Sequence, residues 1–525
     1  MACARRVGVL IAGSTAPGVA SAIALVAAGL LGAGGLVARG RCASAALGLA
    51  GLLGGACVLF ATSWHTAQLA GVRHHAAPAL VALAAAVVVV LGLALVLARR
   101  PGWLPVVAVA LVPFRLPVGT GASSANLLLP LYVLVAASAI VPFLPARLRA
   151  AEPAREGPAR VLDWCLAGSL VLYALQAGYS PGSSKAVQQL AFFYLPFALL
   201  YARLMRSGFS LGVLRRCLLV ALGESVAFAA VGFYEYATRT VLFSSKTAAL
   251  DQIEPYFRVN SIFFDPNIFG RFVALAMILA TGLLLWSERG RVVGAATLLL
   301  AILWLSLVLS LSQSSIVALL VGLAVIGLLR WRAPRRALVT AACCVALLAT
   351  GGVISGVVPT GSAAVNRASD GRLSLVSGGL WLFADRPFAG WGSGSFSDAY
   401  RADRDIKHRG TVSASHTIPI TVAAEQGVLG LLLYAGLLAA AFLTLLRGAQ
   451  SSAARAVIAA AFTAIVVHSL LYADFFEDPT TWLLLAAGAC LASAPAGPEP
   501  PSRPTQQPAV NGRPTSESGS STARR

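Results

Sequence analysis

The chain has 525 residues, of which 58% are hydrophobic and only 11% are charged, and its mean hydropathy is +0.79. That much apolar surface cannot be hidden in one soluble core, so the composition excludes a soluble globular protein and predicts a chain embedded in lipid. The formal charge of +20 is spread over short basic runs between apolar stretches. This distribution argues against a nucleic-acid-binding domain and is typical of the cytoplasmic loops of membrane proteins.

A membrane-spanning helix needs roughly 20 mainly apolar residues, and fifteen stretches of the chain approach that length. This number of spans is uncertain by about two. We predict spans at 17–38, 43–63, 77–98, 103–117, 124–144, 161–178, 187–204, 216–237, 268–286, 292–310, 313–329, 337–358, 417–446, 456–473 and 480–494. The stretch 103–117 is short and could be re-entrant. Apolar character continues from Val7 to Ala38 without a clear cleavage site, so the first stretch is predicted to be a retained span and not a signal peptide.

The basic loops predict the orientation. Two predicted spans lie between each basic loop and the next, so all of these loops can be on the cytoplasmic side. The basic loops are Arg99 with Arg100, 147–160, 203–216, 288–291, 330–336 and 447–455. The segments left on the external side are then 180–186, 238–267, 359–416 and 474–478. Arg5 and Arg6 fit this scheme worst, because it places them outside.

These spans and loops predict four regions. They are transmembrane helices at 1–358, an external catalytic loop at 359–416, further transmembrane helices at 417–494 and a disordered cytoplasmic tail at 495–525. The tail is rich in Pro, Ser, Gly, Gln and Thr and lacks the apolar residues that folding requires. The predicted fold class is an all-α polytopic integral membrane protein with about 13–15 transmembrane helices and one long external loop.

The first polar segment with chemical potential precedes the span at 268–286. Asp265 and Pro266 form the pattern of an N-cap and a first helical residue. Free N–H groups at such a helix start attract anions, and Arg258 and Arg271 lie on either side of it. A diphosphate site is one interpretation, and a well-capped helix with an arginine reaching lipid headgroups is the other.

The predicted external loop at 359–416 is too long for a simple connector and is rich in aromatic and basic residues. Arg372 opens a run with helical spacing of apolar residues, LSLVSGGLWLF, and the glycine-rich sequence RPFAGWGSGSF follows, with Arg386 and Trp391. We expect a helix and then a turn. Arginine can bind phosphate and aromatic rings can stack on sugars, although a single exposed arginine is commonly solvated or paired with a headgroup.

His416 lies where the loop meets the span at 417–446. With an unperturbed pKa near 6.5 it could act as a general base, or it could be structural. Glu425 lies nine residues later, so on a straight helix it faces away from His416; we expect it to contact a protein partner or water and to fix helix packing. The acidic run DFFED at 474–478 is a poor match to a metal-binding Asp-x-Asp pair, and we predict neither a metal nor another cofactor.

Taken together, residues 257–434 resemble the O-antigen ligase and O-antigen polymerase superfamily of bacterial membrane glycosyltransferases. The resemblance rests on Arg258 ahead of Pro266 and Asn267, on SLSQSS at 310–315, on Gly371–Arg372 with RPFAGWGSGSF, and on SHTIPITVAAEQGVLG. The family's last motif typically begins His-Asn, whereas this chain has His416 and Thr417, and Gln313 stands where the family more often has an arginine.

The resemblance implies a GT-C-like enzyme of the bacterial plasma membrane whose active site faces outward. It would transfer a glycan, without a metal, from an undecaprenyl-diphosphate carrier to an acceptor hydroxyl on a glycan, lipid or protein. Arg258 and Arg372 would hold the diphosphate and His416 would deprotonate or position the acceptor. The weaker substrate-binding candidates are Asn267, Arg271, Arg386 and Trp391. Ligase, polymerase and protein O-glycosyltransferase remain alternatives within this class.

A transporter or flippase of lipid-linked glycans is the alternative from another class. Such a protein would place its polar residues near the bilayer midplane on broken helices. Here the polar residues instead gather in the predicted external loop and at the ends of the flanking helices, which favours the enzyme.

Overall fold

The computed structural model describes residues 18–64, 66, 73, 76–118, 125–150, 160–243, 257–331, 372–404, 415, 417–472 and 474–493. Several predicted features lie outside these residues. They are the amino-terminal basic residues, the span at 337–358, residues 359–371 and 405–414 of the predicted external loop, His416 and the tail at 495–525. The helices below belong to a unit of residues 1–492, and Ser493 is the one described residue of a second unit that starts there.

The first half of the described chain is helical apart from one short hairpin. Its helices are α1 (Val19–Val37), α2 (Arg41–Ser63), α3 (Ala76–Arg99), α4 (Trp103–Leu111), α5 (Leu129–Ile140), α6 (Val161–Ala177), α7 (Ser183–Gln189), α8 (Leu195–Ser207) and α9 (Leu211–Thr238). A π-helical turn, Leu190–Tyr194, joins α7 to α8, so the chain runs helically from Ser183 to Ser207. The hairpin pairs β1 (Leu116–Val118) antiparallel with β2 (Ala125–Leu127).

The second half continues with helices alone in its described residues. They are α10 (Pro266–Trp286), α11 (Gly290–Ser310), α12 (Gln313–Trp331), α13 (Arg372–Asp385), α14 (Phe396–Arg404), α15 (Ile418–Leu446), α16 (Ala453–Leu471) and α17 (Pro479–Ser493). Short 3-10 turns follow α5 and α15.

Within the described residues, nine helices are long and apolar enough to cross a bilayer, and three shorter apolar helices accompany them. This confirms the predicted all-α polytopic membrane fold. The stretch 103–117 forms a nine-residue helix followed by β1. At 1.5 Å per residue that helix is much shorter than a bilayer core, so the re-entrant alternative fits better than a full span.

Small residues let α1 and α2 cross at close range. A Cβ atom on Gly51 would lie 2.7 Å from the backbone nitrogen of Gly32, and one on Gly35 would lie 2.9 Å from the nitrogen of Gly48. Helices in lipid associate mainly through such close packing, because the lipid removes the hydrophobic drive between them. On α3, by contrast, Val81 and Val88 are about 70% exposed, as expected of a lipid-facing surface.

A second, smaller core lies beside the bundle. Leu382, Phe396, Ala399, Tyr400 and Ala424 are buried against one another, and they bring α13 and α14 onto the first turns of α15. The helix predicted from the run after Arg372 is therefore present as α13. It is followed by a non-helical, glycine-containing turn and by α14.

Candidate functional site

The start of α10 carries the cap that the sequence predicts. The Asp265 carboxylate accepts the backbone N–H of Asn267 at 2.7 Å, and Pro266 is the first helical residue. Tyr472 donates its hydroxyl to the other Asp265 oxygen at 3.1 Å. The positive end of the helix dipole thus already faces a carboxylate, so a diphosphate near it would need further cations.

Arg258 lies in a segment without regular secondary structure that is bonded to the end of α11. The Val259 N–H donates to the Leu309 carbonyl at 3.2 Å, and the Arg258 Nε donates to the Ser310 carbonyl at 3.4 Å. The buried Glu235 carboxylate accepts the N–H groups of Asn260 at 3.2 Å and Ser261 at 2.7 Å. Glu235 therefore fixes the segment that carries the half-buried Arg258.

The SLSQSS sequence forms a tight helical hairpin beneath this segment. Leu311 adopts φ 52° between α11 and α12, and the Ser312 hydroxyl donates to Asn267 Oδ1 at 2.9 Å. Ser314 Oγ lies 3.2 Å from Nε2 of the buried His468. Gly270 permits this approach, because a Cβ there would come within 2.8 Å of Ser312 and Ser315. The hairpin brings Arg258 and Asn267 to one place.

Arg271 is committed to two aspartates. Its guanidinium lies 2.9 Å from Asp474 Oδ2 and 3.0 Å from Asp478 Oδ2, and all three residues are buried. The predicted role of Arg271 at a diphosphate therefore competes with a buried ion cluster that the protein itself satisfies. The DFFED run, predicted as a charged outer turn, supplies both aspartates.

The predicted external segment is joined to α15 by backbone hydrogen bonds. Trp391 N–H donates to the Ala424 carbonyl at 3.0 Å, Gly392 N–H to the Glu425 carbonyl at 2.8 Å, and Val428 N–H to the Pro387 carbonyl at 2.7 Å. The pairing is made possible by Gly427, whose φ of 66° and ψ of −161° interrupt α15. A side chain there would be strained, and its Cβ would lie 2.3 Å from the Phe388 carbonyl.

Glu425 completes this junction. Its buried carboxylate accepts the Gly394 N–H at 2.8 Å and the Phe396 N–H at 3.0 Å, at the start of α14. From the bundle side, Gln176 Nε2 donates to the Ala389 carbonyl at 3.1 Å and Ser180 Oγ to the Ser393 carbonyl at 2.7 Å. The expectation that Glu425 contacts a protein partner and fixes packing agrees with these contacts.

Arg386 and Trp391 lie together at this junction. The Arg386 guanidinium is 3.9 Å from the centroid of the Trp391 ring, and the indole N–H donates to the Leu382 carbonyl at 3.1 Å. Arg386 is exposed and Trp391 is half-buried. Stacking on Arg386 occupies one face of the indole, so a sugar would have to use its other face or edge.

The two remaining predicted catalytic residues are placed only in part. Arg372 is the first residue of α13, and its side chain, like the whole of His416, is outside the described residues. Both neighbours of His416 are held: Ser415 Oγ lies 2.9 Å from Thr421 Oγ1, and Thr417 Oγ1 donates to the Leu470 carbonyl at 3.0 Å. The roles of Arg372 and His416 stay predictions.

A cavity of about 350 Å³ adjoins these elements, and the sequence did not reveal it. It lies between α6, the Ser183–Ser207 helix, the first half of α15 and the turn at 474–478. Its wall includes Tyr173, Lys185, Gln189, Glu425 and Glu477. The one sequence signal was positional, since Lys185 and Glu477 both fall in turns predicted to be external.

Glu477 gives this region a pH-dependent stability. Burial, and the nearby Asp474 carboxylate, raise the pKa of Glu477 to about 7, against the opposing effects of Gln189, Lys185 and Arg115. In the unfolded chain the pKa of a glutamate is about 4.3. The folded protein therefore binds more protons between those values, and the contribution of Glu477 to stability is present below about pH 4.3 and is lost as the pH rises through about 7.

We therefore expect the Glu477→Gln variant to lose less stability than the wild type when the pH is raised from 5 to 8. The difference in thermal unfolding midpoint between variant and wild type should change by about 1–3 °C over that range. Differential scanning fluorimetry of both proteins in the same nanodiscs measures it. An identical pH dependence in the two proteins would contradict the raised pKa of Glu477.

The comparisons with known proteins concern the second half of the chain. Residues 297–435 match the O-antigen ligase family model, and no curated protein matches the chain. The match supports the O-antigen ligase superfamily and confirms the predicted resemblance. It covers the positions of Arg372, Arg386, Trp391 and His416 and stops short of Arg258, Asn267 and Arg271. Together with the nine candidate membrane spans, the match supports a multi-pass membrane protein that carries an O-antigen ligase domain and transfers a glycan.

Proposed function

We propose that this membrane protein, whose residues 297–435 match the O-antigen ligase family, transfers a glycan from an undecaprenyl-diphosphate carrier to an acceptor hydroxyl at the outer face of the membrane. Ligation onto a lipid, polymerisation onto a glycan and transfer onto a protein share this donor chemistry. The proposed catalytic region is the predicted external loop together with the starts of α10 and α15.

One observation supports the proposal beyond the family match: a short series of hydrogen bonds links the residue after His416 to the segment of Arg258. Leu470, at the end of α16, binds Thr417 beside His416, and Tyr472, two residues later, binds Asp265 at the start of α10. Asn267 accepts a hydrogen bond from Ser312 in the helical hairpin between α11 and α12. The Ser310 carbonyl of the same hairpin accepts a hydrogen bond from Arg258. The chain on both sides of His416 is thus linked by short contacts to the segment of Arg258.

These residues suit the charge changes of the reaction. The acceptor oxygen forms a bond to the anomeric carbon of the donor sugar, and the bond from that carbon to the diphosphate oxygen breaks. Negative charge grows on the departing lipid diphosphate, where Arg258 and Arg372 would stabilise it. His416 would take the proton of the acceptor hydroxyl. With two guanidinium groups opposing the diphosphate, we propose that the transfer needs no metal ion.

The test is transfer from an undecaprenyl-diphosphate glycan by the full chain in membranes. We expect transfer by the wild type to persist in a chelator, and to fall by about a hundredfold to a thousandfold in Arg258→Ala and Arg372→Ala and by about a hundredfold or more in His416→Ala. Gel analysis of the glycan product, normalised to the amount of each variant, measures the rate.

Arg289→Ala is the matched control, because Arg289 is an exposed arginine before α11, in a loop that is predicted to be cytoplasmic and lies outside the proposed catalytic region. It should transfer at the wild-type rate. Complete loss of wild-type transfer in chelator would contradict the metal-free mechanism. If the wild type transfers to no glycan, lipid or protein acceptor, the result would contradict the proposed function and favour a transporter of lipid-linked glycans.

A further inference from the structure

We propose that the cavity beside the turn at 474–478 binds one uncharged sugar residue of a glycan substrate, with Gln189 and Glu477 as its hydrogen-bonding groups. The inference rests on the proposed function for its biological substrate, and it concerns residues outside the Arg258, Arg372 and His416 set. The volume, about 350 Å³, is at the small end of the roughly 300–1,000 Å³ range of small-molecule sites.

The polar wall of the cavity is a connected chain of hydrogen bonds. Tyr173 donates its hydroxyl to Gln189 Oε1, and Gln189 Nε2 donates to Glu477 Oε1. An amide has two N–H donors and two acceptor lone pairs, and each contact above uses one of them. By this count over the described contacts, Gln189 keeps a donor and a lone pair, and Glu477 keeps its second oxygen. Sugar hydroxyls, which both donate and accept, are matched partners for such groups.

Aromatic rings form another part of the wall. Tyr173 and Tyr194 meet edge to face with centroids 4.5 Å apart, and Phe476 lies 5.5 Å from Tyr194 and 6.3 Å from Trp482. All of these rings line the cavity. A sugar ring presents C–H groups on its faces and hydroxyls around its rim, so apolar ring surface and amide edges complement both parts.

The charges in the wall favour a neutral ligand. Both Glu425 oxygens are already bound to backbone N–H groups, and Asp474 is paired with Arg271. Lys185 is the lysine in the wall, and its positive charge acts on the carboxylates of Glu425 and Glu477. An anionic sugar would face these carboxylates and a cationic one would face Lys185, and either would carry a desolvation cost that a neutral sugar avoids.

The cavity is also a neighbour of the proposed catalytic region. The turn at 474–478 separates the two: Asp474 and Asp478 bind Arg271 in α10 on one side, and Glu477 binds Gln189 on the other. Thr421, which binds Ser415 beside His416, lines the cavity as well. The cavity therefore adjoins the elements that carry Arg271 and the residues beside His416.

The test is a binding measurement that does not require transfer. Saturation-transfer difference NMR is recorded with the full chain in nanodiscs and methyl glycosides of glucose, galactose, mannose and rhamnose as probes. We expect saturation of at least one neutral glycoside by the wild type, and about tenfold weaker binding to Gln189→Met, which keeps the side-chain volume and removes the hydrogen bonds. Gln450→Ala, an exposed glutamine in the 3-10 turn after α15, should bind as the wild type does.

Charged probes and the transfer assay separate the outcomes. Glucuronate and glucosamine should give weaker saturation than the neutral glycosides. No saturation by any neutral glycoside, equal binding to the wild type and Gln189→Met, or a stronger response from a charged sugar would each overturn the assignment. The proposed function would still hold after such a result if transfer depends on Arg258, Arg372 and His416. Conversely, sugar binding by a protein that transfers no glycan would support the cavity assignment and contradict the proposed function.

Discussion

Replacing Arg271 by methionine is expected to destabilise the folded protein by about 3–5 kcal/mol, because the change leaves two buried carboxylates without their cation. Asp474 Oδ2 and Asp478 Oδ2 both lie within 3.0 Å of the guanidinium, and their residues are 7% and 2% exposed. Without Arg271 these aspartates would repel each other, and the turn between α16 and α17 would open. Thermal unfolding of the variant in nanodiscs measures the loss.

Two further variants isolate the cause. Arg289→Met removes an exposed arginine at the start of α11 and should leave the unfolding midpoint unchanged. Arg271→Met combined with Asp474→Asn and Asp478→Asn should recover much of the lost stability, since no buried charge is then left unpaired. If Arg271→Met keeps the wild-type midpoint and loses transfer, Arg271 acts on the donor as first predicted, and the ion cluster is not what the residue is needed for.

Glu425→Ala is expected to release the segment 386–404 from α15. The substitution leaves the Gly394 and Phe396 N–H groups buried without their acceptor, and each such charge-assisted hydrogen bond contributes about 1.5–3 kcal/mol. The sum is large compared with the small core that holds α13 and α14. Hydrogen exchange followed by mass spectrometry should show faster exchange of 390–404, while α10 and α16 keep their protection.

The matched control is Glu288→Ala, which removes an exposed carboxylate before α11 and should leave exchange unchanged throughout. Glu425→Gln keeps one acceptor oxygen and should fall between the wild type and Glu425→Ala. Unchanged exchange of 390–404 in Glu425→Ala would show that the backbone pairing at Gly427 holds the segment by itself. Under the proposed function, release of the segment that carries Arg386 and Trp391 should also slow transfer.

The transmembrane elements were largely predictable from the sequence, because their determinants are local. Apolar length gave the span at 268–286, found as Pro266–Trp286, and the Asp265–Pro266 pair marked its start. Helical spacing after Arg372 gave α13. Each of these predictions depends on residues within a turn or two of one another, and lipid as solvent makes apolar length a strong constraint.

The site was less predictable, because its contacts join distant parts of the chain. Arg271 and Asp474 are 203 residues apart, and Gln189 and Glu477 are 288 apart. A single sequence carries no sign that an arginine one turn into a helix will meet two aspartates, so the position of Arg271 beside a helix start predicts a donor-binding role instead. The cavity was not predictable for the same reason, because no single side chain in its wall carries a local sequence signal.

The π-helical turn at Leu190–Tyr194 determines where the groups before it point. Such a turn holds one residue more than an α-helical turn, and one residue corresponds to about 100° of rotation about the helix axis. Without the extra residue, α7 would be turned by that angle relative to α8, and Lys185 and Gln189 would swing away from Glu477. The inserted residue thus sets the rotation of α7 relative to α8, so that α8 is buried in the bundle while Lys185 and Gln189 of α7 line the cavity.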